Sequence, residues 1–217
     1  MQGWQDDRHL APFENLDHQR QGLVLWGIDL SQGPQRRPAD ECVLIKRQLN
    51  QSIGRRRSRL ADTAQDLGTR NGRPVAAANL HLTLAFLSVV DPLRRQCMER
   101  AAGAVEGAPF TLALSRVGYW PRPQVLWLGS PATPPELQQL VANLAAALQV
   151  CGYRPEPRPY RDHLTLARKV SGPSRTQMVE PVVWPVDHFC LVESVTARHG
   201  PDYQVLKSWP LESKRSA

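Results

Sequence analysis

Lysine is scarce in this chain: 4 residues against 23 arginines in a sequence of 217. No apolar run approaches the roughly 20 residues that span a bilayer, so no membrane-spanning helix and no membrane partner are expected. No glycine-rich phosphate loop of either common type is present, which removes those modes of nucleotide binding. The four cysteines, at 42, 97, 151 and 190, form no CxxC pair and stand at no metal-ligand spacing from a histidine. A structural zinc site is therefore not expected, and the cysteines read as reduced thiols of a cytoplasmic protein. Asp6, Asp7 and Arg8 are followed by no apolar core. No secretory signal is expected there.

What is present is ordinary globular material: 41% hydrophobic and 22% charged residues. The length suits one compact unit, built of two similar lobes. The net charge of +7 rests almost wholly on arginine. Two readings compete. A GC-rich genome favours arginine codons, and an anionic partner favours guanidinium, which pairs with phosphate oxygens bidentately.

Along the chain, residues 1–20 are polar and aperiodic and read as a tail. Residues 23–29 read as a buried strand. Pro38 opens an expected helix to about Gln51, with Cys42, Leu44, Ile45 and Leu49 on its apolar face. A basic cluster, Arg55, Arg56, Arg57 and Arg59, leads into an exposed loop through Asn71, Gly72 and Pro74. Residues 79–87 alternate as a half-buried strand does. Asp91-Pro92 starts a helix to about Val105. Strands follow near 109–119 and 124–129. Pro134-Pro135 starts a leucine-rich helix that ends near Gly152. Residues 153–161 are basic and proline-rich, and 163–168 form a second alternating strand. Residues 171–180 read as a loop or short helix, and strands near 187–196 and 203–208 close the fold. Strand runs mixed with helices give an α+β class with a mostly antiparallel sheet. The domain is expected over 21–211, with a short polar tail at 212–217.

One pentapeptide occurs twice. His81-Leu82-Thr83-Leu84-Ala85 returns as His163-Leu164-Thr165-Leu166-Ala167, and an internal repeat of this kind reports a duplicated structural unit. In a strand, residues i and i+2 share a face. His81 and Thr83 therefore point one way and the leucines the other, and His163 and Thr165 do the same. Two lobes related by an approximate two-fold axis bring the two pairs to one cleft. Histidine titrates near neutrality, so a neutral ring can take a proton while a charged one gives a proton. A threonine hydroxyl two residues on can donate to a phosphoryl oxygen as charge develops. The competing readings are a favoured strand-packing pattern and a two-histidine metal site, the latter lacking a carboxylate at ligand spacing.

These motifs resemble those of the two-histidine (2H) phosphoesterase superfamily, and within it the RNA 2′,3′-cyclic phosphodiesterases once named 2′-5′ RNA ligases. The likeness extends to Asn79–Leu87, to residues 121–129, to Asp162–Arg168, and to Phe189–Ser194 with Tyr203, Leu206, Trp209 and Pro210. It covers roughly residues 22–211. It implies a bilobal duplicated α+β fold, with mostly antiparallel sheets flanked by helices around a central cleft. It implies hydrolysis of an RNA-terminal 2′,3′-cyclic phosphate to a 2′-phosphate without metal or other cofactor. His163 is assigned as general base and His81 as general acid, roles that pseudo-symmetry makes exchangeable, and the resemblance sets Thr83, Thr165 and Arg168 at the phosphate. Asp162 stands where the family has proline and bears on the second histidine's pKa. Ser88 stands where the family has glycine. By strict alternation Arg168 lies on the leucine face, so a bulge or the strand end must re-aim it, or it does not touch phosphate.

Arg154, Arg158 and Arg161 precede the second motif and are candidates for holding RNA. The cluster at 55–59 is a further candidate, weighed against a solvated basic loop. Tyr160 and Phe13 are candidates for stacking on a base, against simple packing. His9, His18, His188 and His199 read as surface or structural. The expected protein is a monomeric enzyme acting on RNA ends. Rival readings are 2′-5′ RNA ligation, a small cyclic nucleotide substrate, and an RNA-end-binding module with little turnover.

Overall fold

The computed structural model describes residues 40–45, 72–76, 79–171, 176–197 and 200–212. The expected strand at 23–29, the tails, Phe13 and the arginines at 55–59 lie outside the described residues. Among the described residues the elements run β1 (Asp40–Ile45), β2 (Arg73–Pro74), β3 (Leu82–Ser88), α1 (Pro92–Gly103), β4 (Phe110–Trp120), β5 (Val125–Gly129), α2 (Pro135–Gln149), β6 (Leu164–Arg168), β7 (Gln177–Val186), β8 (His188–Ala197) and β9 (Gly200–Pro210).

The strands form one antiparallel sheet in the order β7-β4-β5-β6-β3-β1-β8-β9, with β2 paired to β6. Each half is four strands, and the halves join where β3 meets β6 at the pair Leu82–Leu164. The two copies of the pentapeptide are thus the two central strands. Their leucines face inward. Leu82, Leu84, Leu164 and Leu166 share a core with Met98 and Ala102 of α1 and with Leu137, Leu140, Leu144 and Leu148 of α2. The last four recur at helical spacing, so α2 lays one apolar stripe on the sheet. Each such leucine contributes about 1.5–3 kcal/mol by leaving water. The fold class is the α+β arrangement expected from the order of elements.

Both helices begin as their sequences require. The Asp91 carboxylate accepts from the Arg94 amide at 2.9 Å, and proline opens both helices. Gly152 follows α2 at φ 77°, a left-handed turn that suits glycine.

Three expectations are corrected. The helix placed at Pro38–Gln51 is, over Asp40–Ile45, the strand β1, paired with both β3 and β8. A short run such as Cys-Val-Leu-Ile fits either period, and flanking partners on both sides decide it. The loop or short helix at 171–180 gives way to β7 from Gln177. Its Pro181 and Pro185 look like loop residues, yet among the described residues β7 pairs with β4 alone, and proline is tolerated on such an edge strand. The expected reduced thiols are, for Cys97 and Cys151, a disulfide with Cα atoms 5.8 Å apart. Arg94 bonds the carbonyls of Cys151 and Gly152 at 2.9 and 2.7 Å and brings the end of α2 beside α1. Cys190 is buried and takes no part in that disulfide. The exposed connection read through Pro74 contains β2, whose residues remain exposed, with the Val75 amide bonded to the Leu166 carbonyl at 2.8 Å.

Candidate active site

His81 and His163 each sit one residue ahead of their strand. Carried one step either way, the Leu82–Leu164 register sets His81 across from Thr165 and Thr83 across from His163. All four side chains therefore leave the same face. The imidazoles are diagonal neighbours on adjacent strands, with backbones about 7–8 Å apart. All four are partly buried, while the intervening leucines are fully buried.

The burial pattern is identical over the two copies through the sixth residue: partly buried His, buried Leu, partly buried Thr, buried Leu, buried Ala, then an exposed residue. Strict alternation would expose the alanine. The reason is a bulge in each strand. Against β1, Val43 pairs with Ala85 and Leu44 with Thr83, which leaves Leu84 extra. Against β5, Leu126 pairs with Ala167 and Trp127 with Thr165, which leaves Leu166 extra. A bulge shifts the parity of all that follows. Arg168 thereby emerges on the exposed side rather than among the leucines, and Phe86 holds the equivalent place in the first copy.

Both rings are oriented by the backbone two residues earlier. His81 Nδ1 lies 2.7 Å from the Asn79 carbonyl, and His163 Nδ1 lies 3.2 Å from the Arg161 carbonyl. A carbonyl only accepts, so Nδ1 carries the hydrogen in each neutral ring and Nε2 is the nitrogen that exchanges a proton. An aromatic ring stands beside each imidazole: Tyr203 at 4.6 Å from His81, Trp120 at 4.8 Å and edge-on to His163. Burial holds the His163 pKa below the ordinary histidine value. The Arg161 carbonyl and Asp162 oppose that shift, and Arg168 reinforces it.

The floor on the second side is aromatic. Trp127, across from Thr165, lies over Gly118, where an added Cβ would come within 2.1 Å of the indole. Trp120 packs on Trp127 at 5.3 Å, and the Arg116 guanidinium stands 5.7 Å from the Trp127 ring. Tyr160 is held by packing. Its hydroxyl donates to the Thr83 carbonyl at 2.9 Å and burial pushes its pKa well up, so it ties the halves together beside the motifs. Arg154, Arg158 and Arg161 are exposed on the loop entering β6, with Arg158 paired to Glu156 at 3.2 Å. His188 is bonded to Asp187 on the surface. Among the described residues, no three His, Cys, Asp or Glu side chains gather.

Sequence reasoning did not single out Trp120, Trp127 or the partners of Asp162. The only trace of Trp120 is its place two residues beyond Gly118, on the same face of β4.

Residues 45–198 match the model of the 2′-5′ RNA ligase superfamily. The chain is 38% identical over 144 residues to the RNA 2′,3′-cyclic phosphodiesterase of Escherichia coli K12, covering 64% of this chain and 80% of that protein. The fold is similar to the crystal structure of E. coli LigT in its apo form, with a TM-score of 0.69, 32% identity, and coverage of 82% of this chain and 100% of that one. It is likewise similar to E. coli LigT complexed with 3′-AMP, with a TM-score of 0.67, 32% identity and the same coverage.

Proposed function

Because this chain belongs to the 2′-5′ RNA ligase superfamily, we propose that it hydrolyses the 2′,3′-cyclic phosphate at an RNA end to a 2′-phosphate. The observation that carries this reading is the duplicated motif on two adjacent strands, each histidine held through Nδ1 so that Nε2 does the proton exchange. The name of the E. coli relative and the 3′-AMP complex of E. coli LigT support it.

His163 is the general base. Its depressed pKa keeps the ring neutral at pH 7, able to take a proton from water. That water attacks phosphorus, the bond to the 3′ oxygen breaks, and protonated His81 gives its proton to that oxygen. The products are a 2′-phosphate and a free 3′ hydroxyl. Thr83 and Thr165 donate to the non-bridging oxygens, and Arg168 offsets the charge that grows on them. Arg154, Arg158 and Arg161 hold the RNA backbone upstream of the end, which gives part of the arginine excess a task. No step needs a metal. RNA as substrate fits a cytoplasmic enzyme, whereas the Cys97–Cys151 disulfide removes the reduced-thiol argument for that compartment.

The test is product analysis on an oligonucleotide ending in 2′,3′-cyclic phosphate, with EDTA present. A 2′-phosphate product at an undiminished rate is expected. A 3′-phosphate product, or loss of activity on chelation, overturns the mechanism.

A further inference from the structure

We propose that Asp162 is a positioning residue for His163, locking the entrance of β6 so that the second histidine is held through a buried carboxylate. This deepens the proposed function and rests on it for its kinetic arm.

Asp162 is 1% exposed. Removing a carboxylate from water costs several kcal/mol unless its oxygens are satisfied. Both are. Oδ2 accepts the Ser130 amide at 2.8 Å and Oδ1 accepts the Thr133 hydroxyl at 2.7 Å. The Asp162 carbonyl also presses on Gly129, where an added Cβ would lie 2.5 Å from it. Side chain and main chain thus fasten residue 162 to the end of β5 and to the turn leading into α2. The neighbouring carbonyl, that of Arg161, is the one that orients His163. The line of support runs from Ser130 and Thr133 through Asp162 to the Arg161 carbonyl and the imidazole. In the first copy the residue ahead of the histidine is not a carboxylate. Leu80 precedes His81 and packs against the core. A leucine is therefore the structurally cheaper choice at this position, and the carboxylate has a task specific to the second copy.

The carboxylate also acts by charge. The charged groups acting on His163 are Asp162 and Glu156, which favour its protonated form, and Arg168, which opposes it. Removing the Asp162 charge drops the His163 pKa further.

The experiment compares the native protein with Asp162→Leu, Asp162→Asn and Thr133→Val. His163 is titrated by NMR without substrate, and kcat and KM are measured on cyclic-phosphate RNA across pH. Asparagine still accepts from the Ser130 amide but carries no charge. It should keep most of kcat while the His163 midpoint and the acid limb of kcat/KM both move to lower pH. Asp162→Leu should lower kcat about tenfold or more with KM within about twofold, as loss of orientation does. Thr133→Val, which keeps the charge, should lower kcat by a few-fold and carries the positioning claim if Asp162→Leu does not fold. An unmoved His163 midpoint in Asp162→Asn, or native kcat in Asp162→Leu and Thr133→Val, overturns the proposal. If the native protein fails to open the cyclic phosphate, the catalytic reading falls, and the NMR midpoint of Asp162→Asn still decides whether Asp162 governs His163.

Discussion

The two halves share a pentapeptide, a bulge, a backbone-oriented histidine and a flanking aromatic ring, yet they differ at three points. The first copy reads Leu80 before the histidine, Phe86 after the bulge and Tyr203 beside the ring. The second reads Asp162, Arg168 and Trp120. The duplicated features build a symmetric scaffold, which any pair of proton-exchanging groups could use. The unmatched ones give the halves different chemistry. Both charged additions, Asp162 and Arg168, fall on the His163 side, where burial also depresses the histidine's pKa. Symmetry supplies two imidazoles, and in the proposed mechanism its local breaking is what distinguishes their roles.

The largest effects should come from the features held in common. His81→Ala and His163→Ala should each lower kcat by about 10² to 10⁴. Circular dichroism should stay native, because both rings are partly exposed and outside the leucine core. In the native enzyme kcat/KM should rise with pH through the titration of His163. Since burial lowers that pKa, the rise should lie below the usual histidine midpoint of about 6.5. A rise centred above it would remove His163 from the base role.

The next prediction probes the asymmetry. Arg168→Ala should reduce kcat/KM about tenfold to a hundredfold, the worth of a charge-assisted bond. Phe86→Ala, at the matching place, should change it less than about threefold. Equal losses would mean that the halves contribute alike.

The disulfide joins α1 to the turn just past the end of α2. Its sequence separation of 54 residues makes it worth about 4 kcal/mol on loop-entropy grounds. Cys97→Ala, or reduction, should lower Tm by roughly 10 °C, read by differential scanning calorimetry, with kcat unchanged. The smallest effect concerns the ends of the two copies. Ser88 has φ 62° and Lys169 φ 56°, both left-handed. Ser88→Gly relieves that strain and should add up to about 1 kcal/mol, measured by denaturant midpoint.

The parts legible in the sequence were those set by local pattern. Alternation, the repeat and the Asp91-Pro92 and Pro134-Pro135 starts located the paired strands and both helices. The parity conflict at Arg168 left a bulge, a strand end or no phosphate contact open, and the pairing of β5 with β6 supplies the bulge. What escaped depends on distant partners. Cys97 and Cys151 meet only because α1 and α2 pack side by side, and Asp162 finds Ser130 and Thr133 only after β5 and β6 pair. β1 is a strand because β3 and β8 flank it, a fact no window around Asp40–Ile45 contains.

The division of labour is tested most directly by a substrate whose leaving group needs no proton: a cyclic phosphate with sulfur in place of the 3′ oxygen. Thiolate departs without general-acid help, so His81→Ala should recover most of the native rate on it. His163→Ala should stay about 10² or more below native, because water still requires a base. Recovery of His163→Ala with continued failure of His81→Ala would contradict the assignment.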